Sequence, residues 1–190
     1  MTIKTFNINT DKTAFVRAYL PDSIAGLPFC EKRPAVLIFP GGGYEYCSDR
    51  EGEPIALQYL ALGYAAFVVT YSCNERFPEP LMDAAYIFYK IRMRAEEFKI
   101  DPQKMAVLGC SAGGHLAGCL ATMWSDIALT KTIGCEPEDL RPNAAILCYP
   151  VISGVTAPHE GSFKVLLGED ASRSDLSRLC LLYTSDAADE

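Results

Sequence analysis

Four short runs in this chain are almost wholly apolar: residues 34–39 (PAVLIF), 64–71 (YAAFVVTY), 105–110 (MAVLGC) and 144–149 (AAILCY). Continuous apolar runs of this length suit strands covered on both faces. The stretches between them carry helical spacing. In 54–62 the apolar residues Ile55, Tyr59 and Leu62 share a face, and Gly63 offers a stop. In 80–98 the positions Leu81, Ala84, Ala85, Phe88, Ile91 and Ala95 recur every three or four residues, with Asp83 near the positive helix start. Residues 114–124 are read as a third helix, and 13–20 as a weakly alternating edge strand. Strands separated by helices read as right-handed crossovers, which predicts an α/β fold with a mostly parallel sheet flanked by helices.

Composition supports one ordinary domain. The chain has 190 residues, 49% hydrophobic and 22% charged, which is enough for a core and too short for two large ones. A net charge of −7 repels phosphate backbones, so nucleic-acid binding is not expected. No apolar run approaches the ~20 residues of a membrane helix, and the N-terminus lacks a signal-peptide core. Eight cysteines include no C-x-x-C pair, and several lie in apolar runs. They suit buried thiols in a reducing cytoplasm.

The chemistry concentrates at Gly109-Cys110-Ser111-Ala112-Gly113, a G-x-S-x-G pattern between an apolar strand and a helix. This is the setting of a nucleophile elbow, where a strained turn lifts a serine hydroxyl clear of the backbone. A helix N-terminus behind it adds partial positive charge where an oxyanion forms. Phosphate-cradle readings fail, since neither G-x-G-x-x-G nor G-K-[ST] occurs. Pro40-Gly41-Gly42-Gly43-Tyr44 follows the strand at 34–39. Its glycines let main chain approach a carbonyl, making Gly42 and Gly43 the expected oxyanion donors with Ala112 as partner.

On these motifs, and on the RPAVLIFPGGGYEYCSDREGEP, DPQKMAVLGCSAGGHLAG and RPNAAILCYPVISG segments, the chain resembles the α/β-hydrolase esterases related to acetyl xylan esterases. These are bacterial proteins of the xylanase-B-like and acetyl-esterase-like kind, and the similarity runs from about Arg33 to Asp170. The resemblance implies serine hydrolysis of small acyl esters, often acetyl groups on carbohydrate, with no metal or organic cofactor. Relatives elsewhere in the fold place His before the three glycines, where this chain has Pro40. The donors are backbone groups, so that departure leaves the oxyanion site intact.

A serine needs a histidine to take its proton and a carboxylate to orient that histidine. Only two histidines exist. His115, four residues beyond Ser111, is expected to pack at the elbow, and His159 to be a loop or substrate-cleft residue. Asp83, Asp101 and Glu160 read as helix-end or solvated charges. Tyr44, with Tyr46 and Phe163, is a candidate for lining the acyl or sugar site. The usual acid and histidine are thus expected to be missing, and the chain to be impaired. Residues 1–179 are expected to form a partial α/β-hydrolase domain without its final strands. Residues 180–190 (CLLYTSDAADE) match the translation of a transposase sequencing-library adapter and are expected to be a non-native tail. A peptidase or lactone hydrolase of the same fold, or a non-catalytic hydrolase-like binding protein, stays open as an alternative.

Overall fold

The computed structural model describes residues 1–7, 14–22 and 32–181. Its strands are β1 (Thr2–Asn7), β2 (Phe15–Leu20), β3 (Arg33–Phe39), β4 (Ala65–Thr70), β5 (Ile100–Cys110) and β6 (Ala144–Cys148). They form one sheet in the order β1-β2-β4-β3-β5-β6. β4, β3, β5 and β6 pair in parallel, while β1 and β2 join antiparallel. The mostly parallel α/β sheet with flanking helices agrees with the sequence reading.

Three of the four apolar runs, those of β3, β4 and β5, are strands covered on both faces by helices; the fourth, in β6, is a strand but is not covered. On one face, Leu37, Phe39, Phe67 and Val107 pack with Leu81, Ala84, Phe88 and Ile91 of α2 (Glu79–Met93) and Leu116 and Leu120 of α4 (Ala112–Met123). On the other, Val36, Ile38, Ala66 and Leu108 meet Ala56 of α1 (Glu53–Ala61), with Ile55 and Tyr59 against them. The helix predicted over 80–98 is broken at Arg94, with α3 (Ala95–Phe98) as a separate turn. Shorter helices α5 (Ile127–Ile133), α6 (Pro137–Leu140), α7 (Glu160–Leu167) and α8 (Arg173–Arg178) complete the described residues.

Two expectations need correction. β2 is not an edge strand, because β1 lies outside it in full register from Thr2–Leu20 to Asn7–Phe15. Asp83 is not solvated: it is buried on α2 and its carboxylate accepts the Ser72 N–H at 3.0 Å. Among the described residues β6 is the last strand on its side, and it is exposed nearly throughout, with Ile146 and Leu147 uncovered.

Of the segment expected to be a tail, Cys180 and Leu181 are buried, and Leu181 N donates to Ile152 O at 2.9 Å. Residues 182–190, like Thr13 at the start of the expected second strand, lie outside the described residues.

Candidate active site

β5 delivers Ser111 to the C-terminal edge of the sheet, and α4 begins at the next residue. Ser111 adopts φ 52°, ψ −119°, a conformation that L-residues rarely hold and that the surroundings must enforce. The enforcement is visible. Ser111 N donates to Cys148 O at 3.0 Å, and its carbonyl accepts from His115 N at 3.0 Å and Val151 N at 3.2 Å. The flanking glycines are required by contact: a Cβ on Gly109 would sit 2.0 Å from Gly113 O, and one on Gly113 would sit 2.0 Å from Phe39 O.

The loop after β3 closes over the serine. A Cβ on Gly41 would lie 2.9 Å from the Ser111 Cβ, so only glycine permits that approach. Gly42, at φ 132°, turns the chain, and its carbonyl accepts from Glu45 N and Tyr46 N. Among the described residues, the N–H groups of Gly42, Gly43 and Ala112 have no protein acceptor. Ser111, Gly42, Gly43, Tyr46, Glu51 and His159 together line a cleft of about 340 Å³. Ser111 is only half-buried there.

Glu51 was not foreseen. Its Oε2 accepts the Gly41 N–H at 2.7 Å and its Oε1 accepts the Tyr149 hydroxyl at 2.9 Å. One carboxylate therefore ties the glycine loop to the chain leaving β6. Hydrogen bonds to Cys110 and to Glu51 hold the Tyr149 phenol above its ordinary pKa. No local pattern marks Glu51, whose partners lie ten residues earlier in the same β3–α1 connection and beyond β6.

His115 is buried in the core as expected. A carbonyl can only accept, so Nε2–H donates to Leu179 O at 2.8 Å, and Nδ1 accepts the Tyr44 hydroxyl at 2.6 Å. Burial lowers its pKa, so the ring is neutral at pH 7. Tyr44 consequently does not line the cleft. At φ 66° its side chain turns inward and is 2% exposed, because its hydroxyl is the partner that a buried imidazole requires. Phe163 is likewise buried, edge-on to His115. Tyr46 is 57% exposed at the cleft. His159 caps α7, with Nδ1 accepting Ser162 N–H at 3.3 Å and lying 2.9 Å from Ser162 Oγ. An accepting Nδ1 places the ring proton on Nε2. Asp101 caps a local turn at Gln103 N and pairs with Lys104, and Glu160 is exposed in the first turn of α7. Among the described residues no group of three His, Cys, Asp or Glu is placed to hold a metal. No described helix is long and apolar enough to cross a membrane.

The model of the BD-FAE family matches residues 27–156. The chain belongs to the BD-FAE family. This BD-FAE member is 34% identical over 157 residues to endo-1,4-beta-xylanase B of Butyrivibrio fibrisolvens, covering 79% of the chain and 24% of that protein. It is 33% identical over 155 residues to an acetylxylan esterase of Xylanibacter ruminicola, covering 78% and 28%. The chain thus spans about a quarter of the length of these curated relatives. Among solved structures it superposes with TM-score 0.77 on an acetyl ester-xyloside bifunctional hydrolase of Caldicellulosiruptor lactoaceticus, at 33% identity over 93% of this chain and 63% of that one. It also matches MGS-M1, an α/β hydrolase from a Medee basin deep-sea metagenome library, with TM-score 0.70 and 45% identity over 80% and 58% of the two chains. The BD-FAE member is therefore an acetyl-xylan-esterase-like α/β hydrolase in sequence and fold.

Proposed function

We propose that the site is built for serine hydrolysis of small acyl esters, most simply acetyl groups carried on carbohydrate. The observation that supports this reading is the strained Ser111 packed against Gly41 of the glycine loop, with the Gly42, Gly43 and Ala112 amides not used by any described protein group. Ser111 Oγ attacks the ester carbonyl as its proton passes to a base from solution, and the Gly42, Gly43 and Ala112 amides hold the resulting oxyanion, each such donor being worth about 3 kcal/mol of barrier. Loss of the alkoxide leaves an acyl-enzyme, which water then hydrolyses. No metal or organic cofactor enters these steps. His159, offering Nε2–H, and Tyr46 are the side chains that meet the alcohol or sugar part. The acetylated sugar is favoured by the acetylxylan esterase and acetyl ester-xyloside hydrolase among the relatives.

Turnover also needs a base. The chain has two histidines. His115 spends both nitrogens in the core, and His159 presents a proton rather than a lone pair. In this reading the 190-residue chain attacks esters slowly, with oxyanion binding and positioning but neither histidine offering a free lone pair. The same observation favours a second reading, in which the chain binds acyl esters in this cleft without turning them over.

Hydrolysis of p-nitrophenyl acetate with imidazole supplied in solution separates the two. Serine chemistry predicts that imidazole accelerates the wild-type chain beyond Ser111→Ala, and that an acetyl adduct appears on the Ser111 peptide. Equal rates for both proteins and an unmodified Ser111 would leave only the binding reading.

A further inference from the structure

Two thiols outside the cleft stand opposite each other. Cys47 ends the glycine loop, Cys73 follows β4, and their Sγ atoms are 3.7 Å apart. Both residues are half-buried, and Cys47 also lines a separate cavity of about 590 Å³. Their approach is fixed by backbone. Asn74 N donates to Tyr44 O at 2.8 Å, and Asn74 Nδ2 donates to Glu45 O at 2.8 Å. The two segments are therefore held side by side whatever the thiols do. Closing 3.7 Å to the ~2 Å of an S–S bond asks for a modest side-chain adjustment.

The remaining described cysteines are poorer candidates. Cys110 and Cys148 face each other in the β5–β6 register, but Cys110 is buried and its thiol is pushed up to about 11. Cys119 is buried, and burial raises its thiol to about 12. Within the Cys47–Cys73 pair, the contact between the two thiols lowers the pKa of Cys73 and raises that of Cys47, so Cys73 is the first nucleophile and the pair stands out by its geometry.

We propose that Cys47 and Cys73 are a reversible disulfide site, oxidised by small disulfides of the glutathione class, that ties the glycine loop covalently to the exit of β4. The Cys73 thiolate attacks one sulfur of the small disulfide, forming a mixed disulfide and expelling one thiolate. Cys47, deprotonated, then attacks the Cys73 sulfur and expels the second. Two electrons pass from the protein thiols to the oxidant, and the two protons leave with the two released small thiols.

The test is independent of hydrolysis. The native 190-residue chain is equilibrated with oxidised and reduced glutathione, alkylated, digested without reduction and read by mass spectrometry. The expected result is a linked pair of peptides carrying Cys47 and Cys73. It should form ahead of any other pair, reverse with excess reduced glutathione, and be absent in both Cys47→Ser and Cys73→Ser. Glutathione adducts at either residue without the link, a Cys110–Cys148 link in its place, or scrambled pairs reaching Cys30 or Cys180 would each overturn the proposal.

Discussion

The Tyr44 hydroxyl donates to His115 Nδ1 at 2.6 Å across 71 residues of sequence, joining the glycine loop to the helix behind the serine. Removing that hydroxyl leaves a buried nitrogen without its donor. Tyr44→Phe should therefore cost about 1–3 kcal/mol of stability. Urea unfolding monitored by circular dichroism measures it. Unchanged stability would mean the bond contributes nothing net.

The same histidine sets a pH dependence. Its native pKa is lowered by burial, so the unfolded chain binds the proton more readily. Stability from this group is fully present above the unfolded value of about 6.5 and is lost as pH falls through the lower native value. Comparing unfolding free energies of wild type and His115→Gln between pH 7.5 and pH 5 (roughly spanning that window) should show a steeper decline in wild type. Parallel curves would contradict it.

Glycines at this site are not equivalent. Gly113→Ala drives a methyl to 2.0 Å from Phe39 O and 2.4 Å from Pro40 O, in backbone that cannot yield, and should cost more than about 3 kcal/mol or prevent folding. Gly43 has open space, with Ser162 Oγ 3.8 Å from where a methyl would sit, but a φ of 67°. Gly43→Ala should cost only the left-handed penalty of about 1–2 kcal/mol. Thermal melts of the two variants test the ranking.

Glu51 joins Gly41 N–H to the Tyr149 hydroxyl. Glu51→Gln keeps one oxygen for Gly41, and the phenol can turn to accept from the new amide, so its cost should stay under about 1 kcal/mol. Glu51→Ala strands the Gly41 amide and should cost about 1–3 kcal/mol. Denaturant titration of the pair distinguishes bridging from incidental contact.

Ser111 holds its conformation under strain. Ser111→Gly should relieve it and raise stability by about 1 kcal/mol, whereas Ser111→Ala should leave stability nearly unchanged. Differential scanning calorimetry reads both. A destabilised Ser111→Gly would show that the strain lies elsewhere.

Much of this arrangement was legible in the sequence, for a physical reason. β3, β4 and the second half of β5 (105–110) are apolar on both faces, and α2 carries its apolar residues on one side, so local pattern and tertiary role coincide. The elbow glycines were legible because their neighbours leave room for nothing else. β1 was missed because Thr2–Asn7 is exposed at nearly every position and buries no stripe. Without β1 as a neighbour, the pattern of β2 looks like that of an edge. Asp83, Tyr44 and Glu51 escaped a correct reading because each is defined by a partner across a turn or in another element: Ser72 N, His115, and Gly41 N with the Tyr149 hydroxyl, respectively. No spacing within a short window encodes such pairs.

β6 carries Ile146 and Leu147 in the open, along a rim whose amide and carbonyl groups meet no further described strand. A rim of that kind is a template for any extended chain that drifts against it. Pairing along such a border needs only backbone, so it asks nothing of how well the interior is packed.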